Sequence, residues 1–547
     1  MITREQIFRA LQTIAVPLIV AYVARQLWGE PKEEIPQSFY QPLLADIDFV
    51  PRRLPATFRT GVSELELYER VSVLQNATQP PDTTAVILNW SRFHNVLLIT
   101  SLLCSPWLDN TIAQVFIWNN SPRRISYEDM KNTGCPRSKL RIHNAPANLL
   151  FQGRYIACAQ ADTPYCFVQD DDYLVRSEII QALHARIERG TARAIHLLPP
   201  HDHLSTTLRE LHIKTPEDTR IADIHTSFAW LGYGTMLRRS EALQFLSLLR
   251  YLQATDDEMK MSDNFFTILS NRIPEVWFDQ GFELGGGQPF TVGSEGDERN
   301  NNYTLRATRY LESLTRCGRA SCDVVLDTDP EQARPSPPYV TLDRTHAPKE
   351  WVHAACRGPA CVLETNIRLL PEIVSHTASN VSDILVIEQR NANLLGESGK
   401  HDYLRHPPSN AVDLKAETVF RSHSHAAQGD TLSIDVLTDV SDAREWTVIE
   451  LVWLVDLGTE AILKACAFEW SSDGVTWNLT PHKLICYDTA REVTIDEDQL
   501  SLRECSVLML LGSNALHQRV PGLIFRARLE EDRVERWTVS EVWLRGL

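Results

Sequence analysis

The chain is short of positive charge: 54 lysines and arginines face 71 aspartates and glutamates over 547 residues, a net charge of −17. That balance excludes a nucleic-acid binder working by phosphate attraction, and it means that an anionic ligand must arrive with a cation. Internal repeats and long low-complexity tracts are absent. So are a Gly-x-Ser-x-Gly elbow and a Walker loop, which removes two common routes to acyl and phosphoryl chemistry. Long apolar runs are scarce. Residues 10–24 form the main one, interrupted only by Gln12 and Thr13 and flanked by Arg9 and Arg25. With snorkelling arginines, Ile7 to Trp28 reaches the spanning length of about 20 residues. No small-residue cleavage site follows, so residues 1–29 are expected to form a retained single-pass anchor.

What is present is ordinary for a globular protein, with 43% apolar and 23% charged residues. The length allows two to four domains. Of 11 cysteines, Cys317 with Cys322 and Cys356 with Cys361 are the best disulfide candidates, suited to an oxidising lumen. A zinc site built from these four is the rival reading, although zinc pairs usually have two intervening residues. Asn76, Asn302, Asn380 and Asn478 begin glycosylation sequons.

Along the chain, residues 30–83 are rich in proline and acidic residues and read as a stem. From residue 84, short apolar strands (85–88, 112–118, 139–142, 165–168, 194–198) alternate with helical periodicity at 96–103, 154–161, 179–187 and 245–252. Ser262 reads as the N-cap of a further helix. This alternation predicts an α/β domain with a mostly parallel sheet over 84–325. Residues 326–364 read as a linker, and after Asn380 long stretches lack helical period. Alternating runs at 432–437, 448–455, 461–470, 507–511, 523–529 and 539–544 predict an all-β sandwich over 365–547.

The most informative local feature is Asp170-Asp171-Asp172, set directly after the strand Tyr165-Cys166-Phe167-Val168. Open α/β sheets place ligand chemistry at the carboxyl ends of their strands. Three adjacent carboxylates repel one another unless a cation is shared, and hard oxygen ligands suit Mg²⁺ or Mn²⁺. His201-Asp202-His203 lacks a third ligand at sensible spacing and reads as an exposed loop. Gly285-Gly286-Gly287 reads as a flexible loop near the site.

Val115-Phe116-Ile117-Trp118-Asn119-Asn120, Gln152-Gly153-Arg154-Tyr155 and Gln169-Asp170-Asp171-Asp172, in that order and spacing, resemble the exostosin-like glycosyltransferases of family 64, which have the GT-A fold. The likeness covers roughly residues 84–315. It implies a retaining transfer from a UDP-sugar with Mn²⁺ (Mg²⁺ as the alternative). On this resemblance Asp172 binds metal, Asp170 and Asp171 contact ribose or order the metal shell, Asn119 and Arg154 hold the uridine diphosphate, and Arg92 lies near the base. Asp263, in Ser262-Asp263-Asn264, matches the family's acidic residue facing the sugar, without the second acidic neighbour. Arg299 matches the late arginine that neutralises the leaving diphosphate.

Residues 410–422, 453–458, 471–477 and 540–543 resemble a discoidin (coagulation factor C-type) sandwich. Trp453, Trp477 and Trp543 are expected as core anchors and Asp473-Gly474 as a tight hairpin turn. With the N-terminal anchor, the cysteine pairs and the sequons, the expectation is a Golgi or ER single-pass type II enzyme with a lumenal catalytic domain. It would move a sugar to a glycan, lipid or protein acceptor. The rival functions are an inactive carbohydrate-binding protein on a transferase fold and a metal-dependent nucleotide-sugar hydrolase.

Overall fold

The computed structural model describes residues 80–190, 192–214, 222–279, 281–286, 293–316, 339–342, 351–357, 361–374, 380–437, 448–496, 498–510 and 523–546. The expected anchor, nearly all of the expected stem, the Asn76 sequon, and Cys317 with Cys322 lie outside these residues. No helix among the described residues is long and apolar enough to cross a membrane.

The first half alternates strand and helix: β1 (Thr83–Asn89), α1 (Phe93–Leu103), β2 (Ile112–Asn119), β3 (Leu140–Asn144), α2 (Gln152–Ala159), β4 (Tyr165–Asp170), β5 (Tyr173–Leu174), α3 (Ser177–Arg189), β6 (Ala194–Leu198) and α4 (Pro200–Leu208). There follow β7 (Leu211–Ile213), β8 (Ile224–Thr226), β9 (Thr235–Arg238), α5 (Arg239–Tyr251), α6 (Asp256–Lys260), α7 (Asp263–Leu269), β10 (Glu275–Phe278), β11 (Phe282–Glu283) and α8 (Gly293–Arg316). The remainder comprises β12 (Val352–Ala355), β13 (Cys361–Thr365), α9 (Ile384–Arg405), β14 (Phe420–Arg421), β15 (Thr431–Val436), β16 (Val448–Val455), α10 (Leu457–Leu463), β17 (Cys466–Ser471), β18 (Asn478–Leu479), β19 (Ile485–Ile495), β20 (Asp498–Leu510), β21 (Leu523–Leu529) and β22 (Thr538–Gly546).

One 13-stranded sheet runs β18-β17-β21-β15-β13-β12-β10-β6-β9-β4-β1-β2-β3. Its β3-to-β10 part is parallel except for β9, which is antiparallel to both β4 and β6. This is a mostly parallel, helix-flanked α/β arrangement. Val86, Leu88, Phe116 and Trp118 on β1 and β2 pack with Tyr155, Phe245 and Phe266 of the covering helices into one core.

Beyond β12 every pairing is antiparallel. Ile434, Phe525 and Phe468 from this part of the sheet pack against Leu451, Trp453, Val507 and Trp537, which belong to or flank a separate five-stranded sheet, β14-β22-β16-β20-β19. The two faces make an all-β sandwich. Its inner sheet is thus an extension of the α/β sheet rather than a detached body. Two of the strands, β12 and β13, fall within or across the segment expected as linker.

Several local expectations are corrected. The run 461–470 is a helix end followed by a strand (α10, then β17), because Asp456 caps Thr459 N–H at 2.8 Å and starts a helix. Residues 384–405 are two helical segments that meet at a kink at Gly396 (φ 69°, ψ 172°), despite the expected lack of period. Ile384, Ile387 and Leu395 share the buried face with Asn391, whose amide donates to the Leu208 carbonyl at 3.2 Å, and that polar residue masks the period. Ser262 has helical backbone angles and its hydroxyl donates to the Met259 carbonyl, so it is not a side-chain cap. His203 is not in an exposed loop: it lies in α4, buried, stacked on Phe278 at 3.9 Å and bonded to Tyr403 Oη at 2.7 Å. Trp453 and Trp543 are core residues as expected. Trp477 instead lies half-buried under the Arg526 guanidinium, 3.3 Å from its ring centre.

The described disulfides are Cys104–Cys135, Cys158–Cys166, Cys356–Cys361 and Cys486–Cys505. Only the third was legible from spacing.

Candidate active site

Strand β1 pairs with β2 on one side and β4 on the other, so the chain reverses its direction of travel across the sheet at the β1–β4 pair. At such a switch point the connections leave in opposite directions and a crevice opens at the carboxyl ends. Leu88 is in register with Asp170, which puts Asn89 to Arg92 beside the aspartate triplet.

The three aspartates are held differently. Asp171 is buried and saturated: its Oδ2 accepts from Trp90 N at 2.9 Å and Arg92 N at 3.4 Å, and its Oδ1 from Arg92 Nη1 at 3.0 Å. Asp170 Oδ1 accepts from Arg154 Nη2 at 2.6 Å. Asp172 Oδ2 lies 3.2 Å from Arg92 Nη1, and its side chain keeps 39% exposure, against 24% for Asp170 and 5% for Asp171. Asp172 is therefore the carboxylate best placed to meet a ligand. Burial, followed by the neighbouring Asp170, pushes its carboxyl up to about 6.

Arg154 and Asp263 form the floor. Asp263, at the start of α7, receives Tyr155 Oη at 3.0 Å on Oδ1, while its Oδ2 lies 3.0 Å from Arg154 Nη1. The second contact is a charge pair without hydrogen-bond alignment. Burial pushes the Asp263 carboxyl up to about 6, against the opposing pull of Arg154. Arg154 has no exposed side-chain surface and bridges Asp170 to Asp263. It braces the acidic cluster from below and has no surface through which to touch a diphosphate.

Asn119 is buried in a ladder of amides at the ends of three adjacent strands. It accepts from Asn89 Nδ2 at 2.6 Å and Ser121 N at 3.1 Å, and donates to Asn144 Oδ1 at 2.8 Å and the Arg123 carbonyl at 2.7 Å. Its amide is fully used in tying β1, β2 and β3 together. Arg299 sits half-buried on α8, one residue before Asn300, whose carbonyl accepts from Asn264 Nδ2 at 3.3 Å. This places Arg299 on the helix packed against α7. Of the predicted residues, then, Arg92, Arg154, Asp170, Asp171, Asp172 and Asp263 form one connected cluster.

Sequence reasoning missed Tyr155, Gly232 and the contacts of the glycine loop. Gly285 and Gly286 both have positive φ (61° and 76°), and their carbonyls accept from Asn95 Nδ2 at 3.0 Å and from Arg92 Nε. The loop therefore clasps Arg92. Gly232 accepts from Asp170 N at 2.9 Å, and a Cβ there would lie 2.3 Å from Asp170 Oδ2. Gly232→Ala should accordingly push Asp170 off Arg154. We expect divalent-cation binding, followed with Mn²⁺, to weaken at least about tenfold with little change in the far-UV CD spectrum; unchanged affinity would show that this contact is unimportant.

The donor set fits a hard divalent cation. Four carboxylates (Asp170, Asp171, Asp172, Asp263) meet two guanidiniums (Arg92, Arg154), which leaves two negative charges uncompensated around an exposed oxygen ligand.

No family model matches the chain, and no curated protein matches it. Among solved structures, it is similar to S. aureus TarS 1-349 in complex with UDP (TM-score 0.27, 14% identity, 43% of this chain and 69% of that one). It is also similar to the mannosyltransferase PcManGT from Pyrobaculum calidifontis in complex with GDP-Man and Mn²⁺ (0.27, 13%, 50% and 74%). A third is the glucosyl-3-phosphoglycerate synthase from Mycobacterium tuberculosis in complex with Mn²⁺, UDP and glucosyl-3-phosphoglycerate (0.28, 12%, 49% and 88%). At these scores the likeness carries no functional argument. The site's geometry has to carry it.

Proposed function

We propose that the chain is a divalent-metal-dependent glycosyltransferase that moves a sugar from a UDP-sugar to a glycan, lipid or protein acceptor with retention of configuration. The observation that carries this reading is the exposed Asp172 at the mouth of a buried, arginine-braced carboxylate cluster, at the sheet's switch point. Asp172 would hold the cation, with Asp170 beside it; Mn²⁺ is the expected ion and Mg²⁺ the alternative. When bound, such a cation neutralises the charge that builds on a departing diphosphate.

The chain's own residues supply the rest. Trp90 N, Arg92 N and the Arg92 guanidinium lock Asp171, which fixes the backbone that presents Asp172. Arg92, tethered to the glycine loop, carries the positive charge nearest the mouth. Asp263 has one oxygen on Tyr155 and the other on Arg154, so it is a positioning residue. At 1% exposure Asp263 has no open face for a covalent glycosyl intermediate, which favours same-face attack over double displacement. Arg299 on α8 remains the candidate for the leaving diphosphate.

In this reading the α/β part is exostosin-like and the sandwich discoidin-like, and the catalytic part faces a Golgi or ER lumen behind an N-terminal anchor. Four disulfides and the exposed sequon asparagines Asn302, Asn380 and Asn478 accord with that compartment. The test is to incubate the protein with UDP-sugars and Mn²⁺ and measure UDP release with and without acceptor glycans. Acceptor-stimulated release is expected. Release indifferent to every acceptor would point to a nucleotide-sugar hydrolase, and glycan binding without release to an inactive lectin.

A pH prediction follows from the same residues. Asp172 must be ionised to hold a cation, and its carboxyl titrates near 6. At subsaturating Mn²⁺, where proton and cation compete for this carboxylate, initial rates should be flat above about pH 7 and fall about tenfold per pH unit below about pH 6. A profile flat down to pH 4 would contradict the role given to Asp172.

A further inference from the structure

We propose that Glu210, His212 and His225 form a second metal site, for a zinc-class transition-metal dication, separate from the aspartate cluster. The local fold builds it. His212 on β7 and His225 on β8 are direct partners in the antiparallel ribbon, Leu211 pairing with Thr226 and Ile213 with Ile224 on either side. Directly opposed residues leave a ribbon on the same face. Glu210 precedes His212 by two positions, and the strand's period of two returns its side chain to that face.

The observed geometry agrees. The two imidazole centres lie 4.2 Å apart, and one ligand atom from each of the three residues lies within 4.8 Å of the others. His212 Nε2 is hydrogen-bonded to Glu210 Oε1, and His225 Nε2 lies 3.9 Å from that same oxygen. His225 Nε2 is buried and has no hydrogen-bond partner among the described residues. A buried ring nitrogen aimed at a carboxylate but too far to bond it is the spacing a small ion fills. Ligands about 2.0–2.1 Å from a tetrahedral ion stand about 3.3 Å apart, which side-chain rotation alone can reach.

The frame is rigid. Asn271 Oδ1 accepts from His225 N at 3.0 Å, and its Nδ2 donates to the Asp223 and Thr341 carbonyls, each at 2.9 Å. The chemistry is selective, since two imidazoles and one carboxylate suit zinc-class ions and not Mg²⁺ or Ca²⁺. The position is also distinct. The three residues line a cavity of about 1110 Å³ whose wall includes Ala194 and Glu275, the first residues of β6 and β10. Strands β4 and β6 run the same way, both antiparallel to β9, so this is the sheet edge opposite the one that ends in Asp170. A tetrahedral ion held by these three protein ligands would take a fourth, such as water or a small anionic ligand.

The test keeps the two metals apart and does not depend on the transferase reading. Full-length Asp172→Ala protein is dialysed against buffered Zn²⁺ and its bound metal counted by mass spectrometry. We expect about one equivalent retained at free Zn²⁺ on the order of a micromolar or below, and none once His212→Ala and His225→Ala are added. Should the added substitutions impair folding, Co²⁺ titrated into the Asp172→Ala chain gives an independent answer. A visible d–d band of tetrahedral strength, abolished by Zn²⁺, is expected. The proposal is overturned if Asp172→Ala retains no zinc, if the histidine variants retain as much as their parent, or if no such band develops.

Discussion

Asp172→Ala should abolish transfer while leaving the fold intact. Asp172 has the most exposed side chain of the three aspartates, and among the described residues its ion pair is to Arg92, which keeps Asp171 as a partner, so its removal opens no hydrophobic void and orphans no fully buried charge. On the proposed function it removes the ligand for a cation opposite a diphosphate, an electrostatic contribution worth several kcal/mol in a site of low dielectric. We expect kcat/KM to fall by about 10²–10³-fold or more, with the thermal midpoint little changed. Asp263→Asn should also damage transfer, but by loosening the floor beneath the triplet rather than by removing a metal ligand. Its binding of UDP should therefore still respond to Mn²⁺, whereas that of Asp172→Ala should not. Equal Mn²⁺ responses in the two variants would erase the distinction drawn here between ligand and brace.

The largest stability effect is expected at Arg154. Its guanidinium has no exposed surface and stands between Asp170 and Asp263. Truncating one partner of a buried ionic network leaves the others uncompensated and typically costs about 3–5 kcal/mol. Arg154→Met should lower the unfolding midpoint in urea accordingly. In a double-mutant cycle with Asp263→Asn the second change should cost far less than it does alone, because the orphaned carboxylate is gone. Strict additivity would mean that the pair is not coupled. The sign of the pH effect can be stated as well. The Asp263 carboxyl titrates at about 6 when folded against 3.8 as the reference, so between those values the native state holds more protons. Stability contributed by this group therefore declines as pH rises from about 4 to about 6, and Asp263→Asn should lessen that slope.

How far the sequence disclosed these features depended on whether the information was local. Strands β6, β16 and β21 were legible to the residue because each is a short, dense apolar run between polar breaks. The aspartate triplet was legible because a strand ends at it. The two helical segments at 384–405 were hidden by one buried asparagine and by the break at Gly396, and the strand at 466–471 by a capped helix in the same apolar run. Arg154 shows a different limit: motif position places a residue near a site but does not say whether solvent reaches it, and its side chain has no exposed surface. Asn119 likewise has the right position, yet its four hydrogen bonds are spent on Asn89, Ser121, Arg123 and Asn144. Gly232, 62 positions after Asp170, carried no signal that could link the two. The Glu210–His212–His225 cluster escaped because its halves are joined only by the β7–β8 register, whereas the neighbouring His201-Asp202-His203 drew notice by adjacency alone.

The central claim is that a divalent cation joins Asp172 to a nucleotide diphosphate. Titrating UDP into the full chain by calorimetry, once with Mn²⁺ and once with chelator, tests it most directly. The account predicts a 1:1 isotherm that tightens at least about tenfold with Mn²⁺ and loses that gain in Asp172→Ala. Identical isotherms with and without the metal, or a Mn²⁺ response that survives in Asp172→Ala, would contradict it.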